Sequence, residues 1–354
     1  MHPEFFEGFT IYKKGEGPVF VTPHSGPSLE TPTNRDDNSD TVASLCWLKS
    51  GGSLVLANVS RKRLLGIDFN RSVPPMKKAL KMYKEFLFDR SPQQLLEYRN
   101  KYAFVAKDDR DYYERVRIHD RFWFQIKNLG NVFIFVHRKF SKLKNYPSIM
   151  DVVSFKGRGI DVDLVKRIIE ELNDEYSDFL RRIEDDYKRA ILAEEKRSIE
   201  KAGYIDIKAL QKPRTEKEKN IAEAMKNIRK YSKKGFINKL ESGFDKSNYM
   251  DAVQDALTNA GQPRITIDTI FNSELAHAPR KRFYLKEMRK DIISMEIECN
   301  QFVNYWYPEV IAEIINKMVD KIRNAEIYKI LGPMQTVIIK FLGGKNEDKK
   351  LQKV

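Results

Sequence analysis

Three residues with chemically active side chains lie in apolar runs of this sequence. His24 ends the run VFVTPH, His137 ends NVFIFVH, and Glu296 lies inside ISMEIEC. Runs rich in β-branched and aromatic residues predict buried strands, and open α/β sheets bind ligands at strand ends. Hydrolytic zinc sites take about three protein ligands, commonly histidines with a carboxylate. The two histidines therefore predict a metal site at one edge of a sheet.

A third ligand is expected from the acidic loop LETPTNRDDNSDTVASL. Its carboxylates belong to Glu30, Asp36, Asp37 and Asp40. Asp40 also suits the N-cap of a helix that begins near Thr41, because an Asp side chain accepts hydrogen bonds from the first N–H groups of a helix. Ligation and capping remain equal alternatives for Asp40.

A dense polar set follows in NVSRKRLLGIDFNR. Asp68 and Asn70 fall on one face of a predicted strand, because side chains alternate with a period of two. The guanidinium groups of Arg61, Arg63 and Arg71 suit bidentate hydrogen bonds to a carboxylate. The set predicts either a carboxylate-binding site or an ordinary Asp–Arg ion pair.

Two glutamates lie in the strand-like run ISMEIEC. Glu296 and Glu298 share one face, while Met295 and Ile297 take the other. Carboxylates are costly to bury in a core, so this face meets water or lines a site. Either glutamate could act as a general base toward a water at the metal.

Short strand-like runs alternate with helical ones, which indicates an α/β fold with a mixed sheet flanked by helices. Strands are predicted over 53–60, 63–69, 131–137, 264–271 and 291–299, and helices over 76–88 and 307–331.

A long central segment has a different pattern. Residues 161–202 carry apolar side chains at helical spacing, and 208–239 are strongly basic and interrupted by Pro213. We expect a helical insertion or subdomain over 161–261, a core built from 1–160 and 262–335, and a C-terminal extension and tail over 336–354.

Composition excludes several classes of protein. The 354 residues are 41% hydrophobic and carry a formal net charge of +14, and no apolar run is long enough for a membrane span or signal peptide. Cys46 and Cys299 give no disulfide framework, so we expect a cytoplasmic protein. The charged, Gly-poor composition also resembles that of thermophile proteins.

Taken in their order along the chain, these motifs resemble those of the N-formylglutamate amidohydrolase family, a branch of the zinc carboxypeptidase and aspartoacylase-like hydrolases. The matching segments are PHSG at 23–26, SR at 60–61, DFNR at 68–71, the aromatic run around His119, the strand ending at His137 and MEIE around Glu296. The match spans residues 11–150 and 265–325. Where the family has Asp-x-His-Ser, this chain has Phe-Val-His-Arg at 135–138.

The resemblance implies a zinc-peptidase-like core and a zinc-dependent amidohydrolase that cleaves a C–N amide bond in a small carboxylate-bearing substrate. The implied zinc ligands are His24, His137 and an acidic residue, Asp40 first and Asp37 second. The other implied roles are carbonyl polarisation by Arg61 or Arg63, substrate-carboxylate binding by Asn70 and Arg71 with His119 nearby, and base catalysis by Glu296.

A second hypothesis is a catalytically degenerate interaction protein in which 208–239 binds nucleic acid or an acidic partner. We favour a solvated face that complements the acidic helix before it, because aromatic residues for base stacking are sparse there. The apolar stripe of 161–202 either forms a homodimer interface or packs on its own chain, and the sequence does not separate the two.

Overall fold

The computed structural model describes residues 2–26, 35–59, 67–87, 104–202, 210–213, 216–271 and 292–343. Eight strands in these ranges form one mixed sheet, in the order β1-β2-β4-β3-β5-β8-β6-β7. The strands are β1 (Glu4–Phe6), β2 (Phe9–Lys14), β3 (Val19–Thr22), β4 (Gly52–Ala57), β5 (Val132–Lys139), β6 (Ser148–Val153), β7 (Arg264–Ile267) and β8 (Ile293–Asn300). The predicted α/β class with a mixed sheet is confirmed.

Helices cover both faces of the sheet. They are α1 (Ser39–Ser50), α2 (Met76–Leu87), α3 (Asp109–Ile126), α4 (Val162–Glu175), α5 (Ser177–Ala202), α6 (Glu216–Tyr231), α7 (Lys234–Ser242), α8 (Lys246–Asn259), α9 (Gln301–Trp306) and α10 (Pro308–Gly343). Helices α1, α4 and α10 share a hydrophobic core with one face, and α2 and α3 share another with the opposite face. Burial on both faces explains the nearly continuous apolar runs of the central strands.

Four neighbouring strands, β4, β3, β5 and β8, run parallel. In their register Val21 lies beside Phe135, and Phe135 lies beside Glu296. Parallel strands end at a common edge, so the chain segments that leave β3, β5 and β8 emerge close together. Strand β6 runs antiparallel to β8.

Most of the predicted elements are present, with two differences. The strand predicted over 63–69 is wrong in its described part, because residues 67–71 form a turn in irregular backbone. Helix α1 begins at Ser39 with Asn38 at the N-cap position, so Asp40 is not the cap. The carboxylate of Asp40 accepts a hydrogen bond from Arg35 at 2.7 Å instead.

The regular secondary structure described between β6 and β7 is helical. The amphipathic helix predicted over 161–202, with room for one break, forms two helices, α4 and α5, which meet at Tyr176. Buried Glu195 of α5 accepts hydrogen bonds from the backbone N–H of Leu143 and the hydroxyl of Tyr249, and so links three parts of the chain. Among the described helices, none offers an apolar stretch of the length needed to cross a bilayer.

The Pro-His-Ser-Gly corner after β3 is fixed by contacts with β4 and the residues after it. The hydroxyl of Ser25 donates to the carbonyls of Ala57 at 2.9 Å and of Thr22 at 3.0 Å. A Cβ atom on Gly26 would lie 1.9 Å from the carbonyl oxygen of Val59. Only glycine fits this close approach of two backbones.

We therefore expect Gly26→Ala to lower the free energy of unfolding by about 2–3 kcal/mol through overpacking. Gly235→Ala is the matched control, because nothing lies within 4 Å of its added Cβ atom and its site is helical. Alanine there should be neutral or stabilise by up to about 1 kcal/mol. Urea denaturation measures both, and equal effects would contradict the close approach at Gly26.

Candidate metal centre

Two histidines and one aspartate meet at the carboxyl edge of β3 and β5. The side chain of Asp36 lies between the rings, with Oδ2 3.1 Å from Nδ1 of His24 and 2.9 Å from Nδ1 of His137. All three side chains are buried. Each offers one ligand atom, and the three atoms lie within 4.8 Å of one another. The cluster has the composition and spacing of a metal site with three protein ligands.

The backbone holds the acidic loop against the corner. The N–H of Asp36 donates to the carbonyl of His24 at 3.1 Å, so a backbone hydrogen bond holds the two candidate ligands close together. His24 follows β3 by two residues, and His137 lies on β5, two residues before the strand ends.

The outer ring nitrogens of both histidines face polar groups. Nε2 of His24 lies 2.8 Å from Oδ1 of Asp68. Nε2 of His137 lies 3.4 Å from the amide nitrogen of Asn70 and 3.6 Å from Oε1 of Glu296. Histidine ligands usually give their second N–H to a carboxylate or carbonyl, which fixes the ring and its tautomer. His24 therefore has the carboxylate partner that a histidine ligand requires, and the carboxylate of Glu296 is the acceptor nearest to Nε2 of His137 among these groups.

Asn70 connects the two sides of this cluster. Its side-chain amide donates to Oε1 of Glu296 at 2.7 Å, while its backbone N–H donates to Oδ1 of Asp68 at 2.9 Å. The family resemblance implies that Asn70 binds a substrate carboxylate, but in the structure its side-chain amide donates to Glu296. Arg71 is the more exposed neighbour, with 39% of its side chain accessible and Nε 4.0 Å from Asp68.

Negative charge dominates the cluster. Asp36, Asp68 and Glu296 are all buried, and Glu298 lies on the same strand face two residues beyond Glu296. Burial alone lowers the pKa of His137, but hydrogen bonds to Asp36 and Glu296 outweigh it and raise that pKa to about 10. Burial raises the pKa of Glu298 to about 7, against the opposing charge of His137. The site thus favours a bound positive charge.

The structure places the remaining predicted residues as follows. Asp40 is in an ion pair with Arg35 and does not join the histidines, and Asp37 lies 3.8 Å from the same arginine. His119 lies on α3, with Nε2 3.0 Å from the carbonyl of Arg71. Arg61, Arg63 and Glu30 lie outside the described residues.

Sequence reasoning did not single out Asp36 or the role of Asp68. Asp36 was one of four acidic residues in a single loop, and no local pattern separates it from Asp40. The sequence predicts Asp68 as a partner for arginine, and in the structure its Oδ1 lies 2.8 Å from Nε2 of His24, 44 residues earlier. A count of the polar partners that two buried histidines need would have pointed to a second carboxylate.

Comparisons with known proteins give structural neighbours only. No protein-family model and no curated protein matches the sequence. One solved structure, a gene product of Agrobacterium tumefaciens, has a TM-score of 0.42 at 11% identity over 90% of this chain and 96% of that one. Another, an N-formylglutamate amidohydrolase from Ralstonia eutropha, has a TM-score of 0.35 at 12% identity over 91% and 98%. Similarity this low does not bear on the activity of this protein.

The raised pKa of His137 predicts how the metal-free protein responds to pH. The folded-state pKa of about 10 exceeds the ordinary value of 6.5, so protonated His137 stabilises the folded state. This contribution to the free energy of unfolding is complete below pH 6.5 and is lost as pH rises through 10. The unfolding free energy of chelator-treated wild type, relative to His137→Gln, should fall by about 1 kcal/mol per pH unit between 7 and 10. A difference that stays constant or grows in urea denaturation would contradict the proton on His137.

Proposed function

We propose that this protein is a zinc-dependent amidohydrolase that cleaves a C–N amide bond in a small substrate bearing a carboxylate. The observation that carries the proposal is the carboxylate of Asp36 between Nδ1 of His24 and Nδ1 of His137. The order of sequence motifs supplies the reaction class and the zinc.

The donor set fits zinc. Two imidazole nitrogens and one carboxylate oxygen are ligands that zinc accepts, and three protein ligands leave a position open for chemistry. Zinc ligands at their usual bond lengths lie about 3.4 Å apart in a tetrahedral arrangement. The separations of 3.1 Å and 2.9 Å at Asp36 need only a small adjustment to reach that value.

Asp36 replaces Asp40 as the proposed third ligand. Asp40 is 28% exposed and is occupied by Arg35, whereas Asp36 is 7% exposed and touches both histidines. When bound, zinc would polarise the amide carbonyl and lower the pKa of a water molecule.

Glu296 is the proposed general base. It is 2% exposed, and the hydrogen bond from Asn70 at 2.7 Å fixes the direction of Oε1. Its carboxylate lies 3.6 Å from Nε2 of His137, next to the proposed ligands without being one of them. Because this contact is to the outer nitrogen of the ring, the role of Glu296 as base is drawn from the order of sequence motifs, in which a carboxylate takes a proton from the attacking water and returns it to the leaving nitrogen.

Arg71 is the proposed anchor for the substrate carboxylate. Its guanidinium group is partly exposed beside Asp68, and a guanidinium can form two parallel hydrogen bonds with a carboxylate. Carbonyl polarisation by Arg61 or Arg63 stays a proposal drawn from the sequence.

The degenerate alternative rests on the unusual residues around His137 and on the basic segment 208–239. The enzyme is supported at His137 by the carboxylate of Glu296, which lies 3.6 Å from Nε2. Arg138 lies on the other face of β5 and donates to the carbonyl of Arg35. We therefore retain the enzyme as the proposal and a small carboxylate as its partner.

Substitution of the two aspartates tests the proposed ligand set. Wild type should bind about one zinc per chain, and Asp36→Asn should weaken zinc binding at least about 100-fold, because a ligand is lost. Asp40→Asn is the matched control in the same loop and should bind zinc as wild type does. Titration against a chromophoric chelator measures all three, and a larger loss in Asp40→Asn would reverse the assignment.

Substitution of the two glutamates tests the chemistry. Glu296→Gln should lower the turnover of N-acyl amino acids about 10²- to 10⁴-fold while zinc binding is retained. Glu298→Gln should lose much less, because Glu296 is the residue that contacts both Asn70 and His137. Release of free amino acid by zinc-loaded protein is the measurement. Wild type that binds zinc but hydrolyses no N-formyl or N-acetyl amino acid would contradict the proposed reaction.

A further inference from the structure

The groups that support the two histidines come from a short turn. Asp68, which contacts His24, and Asn70, which contacts His137 and Glu296, flank a single residue in what we call the 68–71 turn. The turn is closed by a backbone hydrogen bond from Arg71 to Asp68 at 3.2 Å and belongs to no strand. Because no strand pairing holds the turn, its position depends on contacts with neighbouring elements.

Helix α3 fixes it through two backbone carbonyls. The indole Nε1–H of Trp123 donates to the carbonyl of Phe69 at 2.9 Å, and Nε2 of His119 donates to the carbonyl of Arg71 at 3.0 Å. Between these bonds the ring of Phe69 stacks on Phe122, with centroids 4.0 Å apart and planes inclined by 13°.

The three helical residues have the spacing that this contact requires. Positions 119, 122 and 123 are three and four residues apart, so they share one face of α3. His119, Phe122 and Trp123 are all buried, with exposures of 1% or less. A purely apolar face would bury the ring of Phe69 equally well but would give its carbonyl no donor.

We propose that Trp123 and His119 are positioning residues that set the affinity of the metal centre by holding the 68–71 turn. The inference rests on the proposed function, because it concerns the same zinc site. Trp123 binds the carbonyl of the residue between Asp68 and Asn70, so a shift of that carbonyl moves the partners of both proposed histidine ligands. Both residues contact the turn through its carbonyls, and the ring of Trp123 also packs on Phe135 of β5, with centroids 5.6 Å apart.

The chain contains a matched control for Trp123. The indole Nε1–H of Trp47 on α1 donates to the carbonyl of Gly52, where β4 begins, at 3.2 Å. Both tryptophans are buried, at 6% exposure for Trp47 and 0% for Trp123. Phenylalanine at either position removes one Trp-to-carbonyl hydrogen bond, but only Trp123 is connected to the proposed ligands.

The test is the zinc dissociation constant of the full chain, measured by competition with a chelator at one pH. Trp123→Phe should bind zinc about tenfold more weakly than wild type, in the range found when partners of metal ligands are removed. Trp47→Phe should stay within about twofold of wild type even where urea denaturation finds a similar loss of stability.

A second pair of variants decides the case if Trp123→Phe does not fold. His119→Phe removes the donor to Arg71 and should weaken zinc binding about tenfold. His119→Gln carries an amide N–H in the place of Nε2–H and should restore affinity to within about threefold of wild type.

Two kinds of failure are distinguishable. Wild-type affinity in Trp123→Phe or His119→Phe, or equal losses in Trp123→Phe and Trp47→Phe, would overturn this inference and leave the proposed function standing. Failure of His119→Gln to recover would also overturn it. Absence of zinc binding in the wild type would overturn the proposed function and this inference together.

Discussion

Buried negative charge between two imidazole rings is the feature on which the rest of the site depends. Asp36 lies within 3.1 Å of a ring nitrogen on each side, and Asp68 and Glu296 are buried close behind the rings. Burial of several carboxylates is unfavourable unless a cation compensates them. Without metal, a proton on His137 supplies part of that charge, as its raised pKa of about 10 indicates. A divalent cation held by the same atoms would compensate it more fully.

The sheet topology explains how distant residues reach this place. β3, β5 and β8 are neighbours and run parallel, so His24, His137 and Glu296 come to one edge although more than 100 residues separate each from the next. The remaining groups arrive on irregular backbone: Asp36 on the loop after the Pro-His-Ser-Gly corner, and Asp68 with Asn70 on the 68–71 turn. The strands determine where the site lies, and hydrogen bonds to α3 and β4 fix the positions of the turn and the corner that carry its side chains.

The sequence singles out residues on strands or directly after them, whereas the contacts made by irregular backbone were not predicted. Strand periodicity and polar residues in apolar runs can be recognised locally, and they point to His24, His137 and Glu296, which the sheet brings to one edge. Asp40 was preferred to Asp36 because the choice depends on two contacts invisible in the sequence, the Asp36 N–H to the His24 carbonyl and the ion pair of Asp40 with Arg35. Asn70 was assigned to substrate because its partner, Glu296, is 226 residues away.

The central claim, that His24, Asp36 and His137 hold a zinc ion, is tested most directly by anomalous diffraction at the zinc edge from crystals of zinc-loaded protein. The account predicts one strong peak, about 2.0–2.2 Å from Nδ1 of both histidines and from a carboxylate oxygen of Asp36. The outer nitrogens should still face Asp68, Asn70 and Glu296. A peak bound elsewhere, or no peak among these three residues at full zinc loading, would contradict it.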